Sequence, residues 1–149
     1  MFKTILTSLF IVLLSATTFA HCQIPCGIYD DPRQFSELKE HAKTIDKSIR
    51  SMQNLSADER PNQLARWVVN KESHATEIQD IINHYFLIQR IKSPSQDNTD
   101  AVELYNNLLS SAHNILVLAM KTKQQASLSA SAELLMAINQ FEEVYQSSK

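Results

Sequence analysis

Apolar residues recur every three or four positions along most of this chain, which is the spacing of amphipathic helices. One stripe runs from Phe35 to Met52, with charged residues on the opposite face. A second runs from Leu64 to Ile88 and follows Pro61, a residue that suits a first helical turn. A third helix is predicted to start near Thr99 or Asp100, and a fourth covers 128–145. The third stripe predicts burial of Val102, Tyr105, Leu109, Ala112, Leu116 and Ala119.

Three breaks in this pattern predict the connections between helices: 54–60, 92–98 and 121–127. In the first, Ser56 and Glu59 have the spacing of a capping box. Short connections force neighbouring helices to run antiparallel. We therefore predict an all-α protein, an up-down antiparallel four-helix bundle over 33–146.

Composition supports a helical protein and narrows its partners. The chain of 149 residues contains one glycine, whereas phosphate loops, hairpin turns and barrel corners need several. Its formal charge of -2 argues against the basic surface that nucleic acid attracts. We expect no nucleic-acid partner.

The first twenty residues predict a secretory signal peptide. Lys3 is the only charge, the run from Ile5 to Leu14 is almost wholly apolar, and small residues lead to Ala20. The apolar run is too short for a bilayer span, and it lacks the polar face of a buried first helix. We predict residues 1–20 as leader and 21–149 as the mature domain, exported to the periplasm or secreted, without a membrane anchor after cleavage. A cytoplasmic location is the alternative, if the leader is a pro-segment.

The residues best suited to metal chemistry lie together just after this leader, in the sequence His-Cys-Gln-Ile-Pro-Cys-Gly-Ile-Tyr over 21–29, which we call the hook. Both cysteines and the only glycine of the chain are in it. Cleavage after Ala20 would give His21 a free amine, so the amine, the Cys22 amide and two thiolates become possible donors. Proline fixes one turn angle and glycine permits a left-handed one, so the loop can curl around an ion.

Several ligands remain compatible with these residues. Zinc prefers tetrahedral side-chain donors and has no use for an ionised amide, whereas tetragonal Ni(II) or Cu(II) accepts amine and amidate nitrogens. A Cys22–Cys26 disulfide is a further alternative, natural in an exported chain.

The hook resembles the N-terminal motif of the nickel-containing superoxide dismutases, His-Cys-x-x-Pro-Cys-Gly-x-Tyr, and the helical body agrees with that family's bundle. The resemblance implies one nickel per subunit, held by the His21 amine, the Cys22 amide and the thiolates of Cys22 and Cys26, with the His21 imidazole axial when oxidised. Tyr29 would limit access to the metal, so that only small anions could reach it.

The resemblance further implies disproportionation of superoxide with Ni(II)/Ni(III) cycling, and a homo-oligomer, a hexamer in the family. Many members carry Asp where this chain has Gln23. Glu37 and His74 are candidates, by approximate spacing only, for orienting the His21 imidazole. For His74, an ordinary hydrogen-bonded position at the edge of the core is the alternative. The rival function is a non-enzymatic periplasmic protein that binds or delivers nickel or copper.

Overall fold

The computed structural model describes residues 24–58 and 60–149. Within these residues the protein is all-helical, with four α-helices and no strand. Helix α1 covers Asp31–Gln53 and α2 covers Arg60–Asp80, which continues into a π-helical segment, Ile81–Arg90. Helix α3 covers Thr99–Gln124 and α4 covers Leu128–Ser147.

Local capping explains where three helices begin. The Asp30 side chain accepts a hydrogen bond from the Arg33 amide at the start of α1, with Pro32 in the first turn. Asn98 caps α3 and Ser127 caps α4 in the same way. Each cap gives an acceptor to one of the unpaired amides that begin a helix. The predicted starts of α3 and α4 are confirmed, whereas the predicted capping box depends on Glu59, which lies outside the described residues.

Contacts between helices show the antiparallel arrangement. Along α1, residues 39 and 46 meet residues 142 and 131 of α4, so the two helices run in opposite directions. The α1–α2 pair behaves likewise, with 41 meeting 74 and 48 meeting 70. Contacts also join α2 to α3 and α3 to α4, which closes the ring of a four-helix bundle. The prediction of an antiparallel bundle is confirmed for the described residues.

The core lies along the inner faces of all four helices. At one end, where α1 begins and α4 ends, Phe35 packs against Phe86 and Phe141 at ring-centroid distances of 4.8 and 5.7 Å. Tilted and edge-on rings at such distances add to the hydrophobic stabilisation of a core. The largest fully buried side chains are Phe35, Phe86, Phe141, Leu38, Ile45, Ile49, Ile78, Ile82, Ile115, Leu134, Ile138 and Thr122.

Of two sequence predictions about α3, the one for its end was wrong and the one for its buried face was partly correct. The connection predicted over 121–127 shrinks to 125–127, because α3 continues to Gln124. The buried ammonium of Lys71 donates to the carbonyls of Thr122 and Lys123, which stabilises this last turn. Of the residues predicted to be buried on α3, Ala112 and Ala119 are buried. The other four are only partly buried, and Leu108 and Ile115 take their place in the core: Val102, Tyr105, Leu109 and Leu116.

The second predicted stripe is only partly buried. Ile78, Ile82 and Tyr85 enter the core. Leu64, Val68 and Ile88 are exposed. Among the described residues, no helix combines the length and the apolar character that crossing a bilayer requires.

Candidate metal-binding loop

The described part of the hook, residues 24–29, forms a tight turn ahead of α1. The Ile24–Pro25 peptide bond is cis, and the Ile28 amide donates to the Pro25 carbonyl at 3.0 Å. Cys26 and Gly27 both have left-handed backbones, with φ values of 43° and 88°. Glycine adopts this region without the strain that a Cβ brings. The Cys26 side chain is exposed, so its thiol lies where an ion can reach it.

The π-helical segment holds this turn at both ends. The Gln89 side-chain amide donates to the Ile24 carbonyl at 3.1 Å. The Tyr29 ring meets the Tyr85 ring edge-on, with centroids 5.8 Å apart, and the Arg90 guanidinium lies 4.3 Å from the Tyr29 ring centroid. We call Tyr85, Gln89 and Arg90 the platform.

The π-helical backbone explains why the platform residues act together. Its amide-to-carbonyl bonds span five residues, and the Ile91 amide closes the segment on the Phe86 carbonyl at 2.8 Å. Residues five apart are therefore stacked along the segment, so Tyr85 and Arg90 share one face. In an α-helix they would be well separated around the axis, since 3.6 residues make one turn.

Asp31, the first residue of α1, lies beneath the platform with only 7% of its side chain exposed. Its Oδ1 accepts hydrogen bonds from Tyr85 Oη at 2.6 Å and Arg90 Nε at 2.8 Å. Its Oδ2 accepts from Arg90 Nη2 at 2.7 Å, Tyr145 Oη at 3.1 Å and Lys149 Nζ. One carboxylate thus joins the start of α1, the π-helical segment and the end of α4.

This network shifts the protonation equilibria of its members. Burial alone would raise the pKa of Asp31, but the hydrogen bonds from Arg90, Lys149 and Tyr85 hold that pKa well below its usual range. Burial, and then the bond to Asp31, raises the pKa of Tyr85. At neutral pH Asp31 is therefore an anion, and Tyr85 keeps its phenolic proton and donates it in the hydrogen bond to Asp31.

A cleft of about 510 Å³ separates the outer side of the hook from the helical body. It is lined by apolar hook residues on one side and by the start of the π-helical segment on the other. The lining residues are Ile24, Pro25, Ile28, Asp30, Arg33, Gln34, Asp80, Ile81, His84 and Tyr85.

Glu37 and His74, the candidates for orienting the His21 imidazole, have these partners among the described residues. Glu37 forms an exposed ion pair with Arg33, Nε to Oε1 at 2.8 Å. His74 Nδ1 lies 2.7 Å from His41 Nδ1, at the half-buried seam between α1 and α2. The edge-of-core position weighed for His74 is therefore what the structure shows, and its pairing with His41 was missed.

Burial, followed by the proximity of His74, lowers the pKa of His41. Glu77, Glu37 and Glu40 oppose this shift electrostatically. The pair therefore favours at least one neutral imidazole near neutral pH.

Of the predicted site residues, the structure places Cys26 and Tyr29 on one turn. His21 and Cys22 lie outside the described residues, as do residues 1–20 of the predicted leader. Among the described residues, no group of three or more His, Cys, Asp or Glu side chains is arranged to hold a metal ion. The predicted ligand set depends on His21 and Cys22, so that finding does not bear on it. The donor chemistry fits nickel, since Cys26 supplies an accessible sulfur on a turn with space around it.

Sequence analysis missed Asp31, Gln89 and Arg90 as parts of the site. Asp31 follows a helix-capping aspartate and precedes a proline, so it has the local appearance of an ordinary first-turn residue. Tyr85 falls within the second apolar stripe of the sequence and is buried in the core, so nothing local distinguished it as part of a site.

The family model described as nickel-containing superoxide dismutase matches residues 16–149, which include the entire hook. The chain belongs to this family. It is accordingly a nickel-dependent oxidoreductase acting on superoxide, and the metal-delivery alternative is not favoured. Comparison with curated proteins and with solved structures gives no match.

Proposed function

We propose that the hook is the catalytic metal site of this enzyme, with nickel held by the His21 amine, the Cys22 amidate and the thiolates of Cys22 and Cys26. The observation that carries the proposal is the position of Cys26: an exposed thiol on a left-handed turn, held against the helical body and lying inside the family match. The His21 imidazole would supply a further nitrogen donor when nickel is bound.

Nickel, when bound, supplies a Ni(II)/Ni(III) couple that accepts an electron from one superoxide and returns it to another. Overall, two superoxide anions and two protons give dioxygen and hydrogen peroxide. The chain's part is to supply sulfur and nitrogen donors that favour the higher oxidation state, to exclude larger reductants and to provide protons. Tyr29, fixed between Tyr85 and Arg90, is the residue we propose to restrict access and to hold a proton at its hydroxyl.

We propose that residues 1–20 are removed during export to the periplasm or outside, because only a free His21 amine can serve as a donor. Lys3, the apolar run and the small residues before Ala20 support this processing. Mass spectrometry of the protein purified from its source tests it, and a mature N-terminus other than His21 would contradict it.

We also propose that the enzyme works as a homo-oligomer, a hexamer by resemblance to its family. Exposed apolar residues on the helical body, among them Val69 and Met136, support burial against further copies. Analytical ultracentrifugation tests the assembly. A monomer at micromolar concentration would contradict it.

The site is tested by loading the processed chain with nickel and measuring superoxide consumption, with Cys26→Ser as the variant. Serine removes the thiolate while altering the turn little, so turnover should fall to the uncatalysed rate and a rhombic Ni(III) electron-spin signal should disappear. Asn114→Ala, an exposed polar change in the middle of α3, is the control and should retain both. Full turnover in Cys26→Ser would contradict the site, and tight nickel binding without turnover in the unmodified chain would indicate a delivery protein.

A further inference from the structure

Asp31 receives more hydrogen bonds than a helix-starting carboxylate needs. Five hydrogen bonds from four side chains converge on it. Two of the donors are cations, and Arg90 binds both carboxylate oxygens through its planar fork. Such bidentate, charge-assisted bonds fix direction as well as distance. The group is therefore held in one orientation and holds its partners in turn.

Two of those partners are also the contacts of Tyr29. Tyr85 gives its hydroxyl to Asp31 and the side of its ring to Tyr29. Arg90 gives its Nε and Nη2 to Asp31 while its guanidinium lies over the Tyr29 ring. A guanidinium constrained by a carboxylate has few ways left to sit against an aromatic face. The position of Tyr29 thus depends on Asp31 through these two residues.

The rest of the turn contributes little to its own placement. Ile24 and Ile28 are 87% and 85% exposed, so their apolar side chains pack weakly on the body. The Gln89 bond to the Ile24 carbonyl holds the other end, and Gln89 also donates to the His84 carbonyl at 2.9 Å. The turn is therefore held mainly by contacts with the π-helical segment at its two ends, at the Ile24 carbonyl and at the Tyr29 ring.

We propose that Asp31 is a positioning residue for the metal loop: by fixing Tyr85 and Arg90 it fixes Tyr29, and so presents Cys26 to the metal in one orientation. Tyr145 and Lys149 bind the Asp31 carboxylate at the end of α4, so the position of the loop is fixed relative to the bundle. This inference rests on the proposed function of the hook, and it adds residues outside the hook that set its metal affinity.

The experiment measures the nickel dissociation constant of the processed chain, residues 21–149, by competition with a coloured chelator. Asp31→Asn keeps the side-chain shape but removes the charge and one acceptor. We expect nickel binding about 10-fold weaker, the size of effect seen when groups that orient metal ligands are changed. Tyr85→Phe keeps the ring under Tyr29 and removes only the hydroxyl, so it provides a second variant should Asp31→Asn fail to fold. It should weaken binding in the same direction.

A core variant separates positioning from general stability. Ile138→Val removes one buried methylene from α4 away from the loop and should lower the melting temperature while leaving nickel affinity unchanged. If Ile138→Val weakened nickel binding as much as Asp31→Asn does, the effect would be one of stability, and the proposal would be overturned.

A double-mutant cycle tests the route through Arg90. If Asp31 acts through Arg90, then Asp31→Asn, Arg90→Gln and the double variant should weaken nickel binding to similar extents, so that the effects do not add. Fully additive losses would overturn the proposal, as would unchanged affinity in both Asp31→Asn and Tyr85→Phe. Failure of the hook itself is recognised separately, since the unmodified chain would then bind no nickel.

Discussion

Replacing Gly27 by alanine tests how far the shape of the turn sets metal binding. Gly27 has φ at 88°, and a Cβ built on it meets none of the other described residues within 4 Å, its two chain neighbours aside. The substitution therefore brings no clash, and its cost comes from the backbone alone, about 1–2 kcal/mol for an L-residue in a left-handed conformation. The turn is exposed and lies outside the bundle, so the strain should be relieved by a change of loop conformation and not by unfolding.

A cost of about 1–2 kcal/mol corresponds to a roughly 5–30-fold loss of nickel affinity, if the metal requires the turn as it stands. The assay is the same chelator competition, together with a thermal melt of the metal-free chain, which should change little. Gly27→Asn should lose less, because asparagine enters the left-handed region more readily than alanine. Ile28→Ala, the adjacent exposed position, is the matched control. Nickel binding by Gly27→Ala as tight as that of Ile28→Ala would show that the left-handed backbone at Gly27 does not set nickel affinity.

Two further predictions concern the helical body. Phe86→Ala, which empties a fully buried ring site among other aromatic rings, should lower the free energy of unfolding by about 3–5 kcal/mol in urea titrations; the exposed Ile88→Ala should stay within about 0.5 kcal/mol of the parent, and a similar loss in both would contradict the core assignment. Since the pKa of folded His41 lies below the ordinary 6.5, the unfolded chain binds the proton first, so stability should fall as pH drops below about 6.5. His41→Gln should flatten that slope between pH 7.5 and 5.5 in thermal melts, and a slope equal to that of the parent chain would count against the contact between His41 and His74.

The hook could be proposed from the sequence because its chemistry is local. Its donor types, its proline and its glycine occupy nine consecutive residues, so residue types and spacing together predict a loop suited to a metal. The platform was not predictable in this way. Asp31 meets Tyr85, Arg90 and Tyr145 at separations of 54, 59 and 114 positions, and those meetings depend on how three helices pack.

The same distinction between local and long-range contacts separates the helix limits that were predicted correctly from those that were not. Asn98 and Ser127 cap helices through side chains three residues from the amides they bind, so the sequence predicts those starts. The end of α3 is stabilised by Lys71, 51 positions before Thr122, and the sequence therefore predicted it too early. The π-helical backbone of 81–90 was also missed, since its apolar spacing resembles that of an α-helix.

The central claim is that the amine of His21 is a ligand of catalytic nickel. It is tested most directly by comparing two nickel-loaded chains, one beginning at His21 and one carrying a single extra residue before it, in a stopped-flow assay of superoxide consumption. We expect rapid turnover in the first chain and a rate near the uncatalysed one in the second, because an amide nitrogen replaces the amine. Equal turnover in the two chains would contradict it.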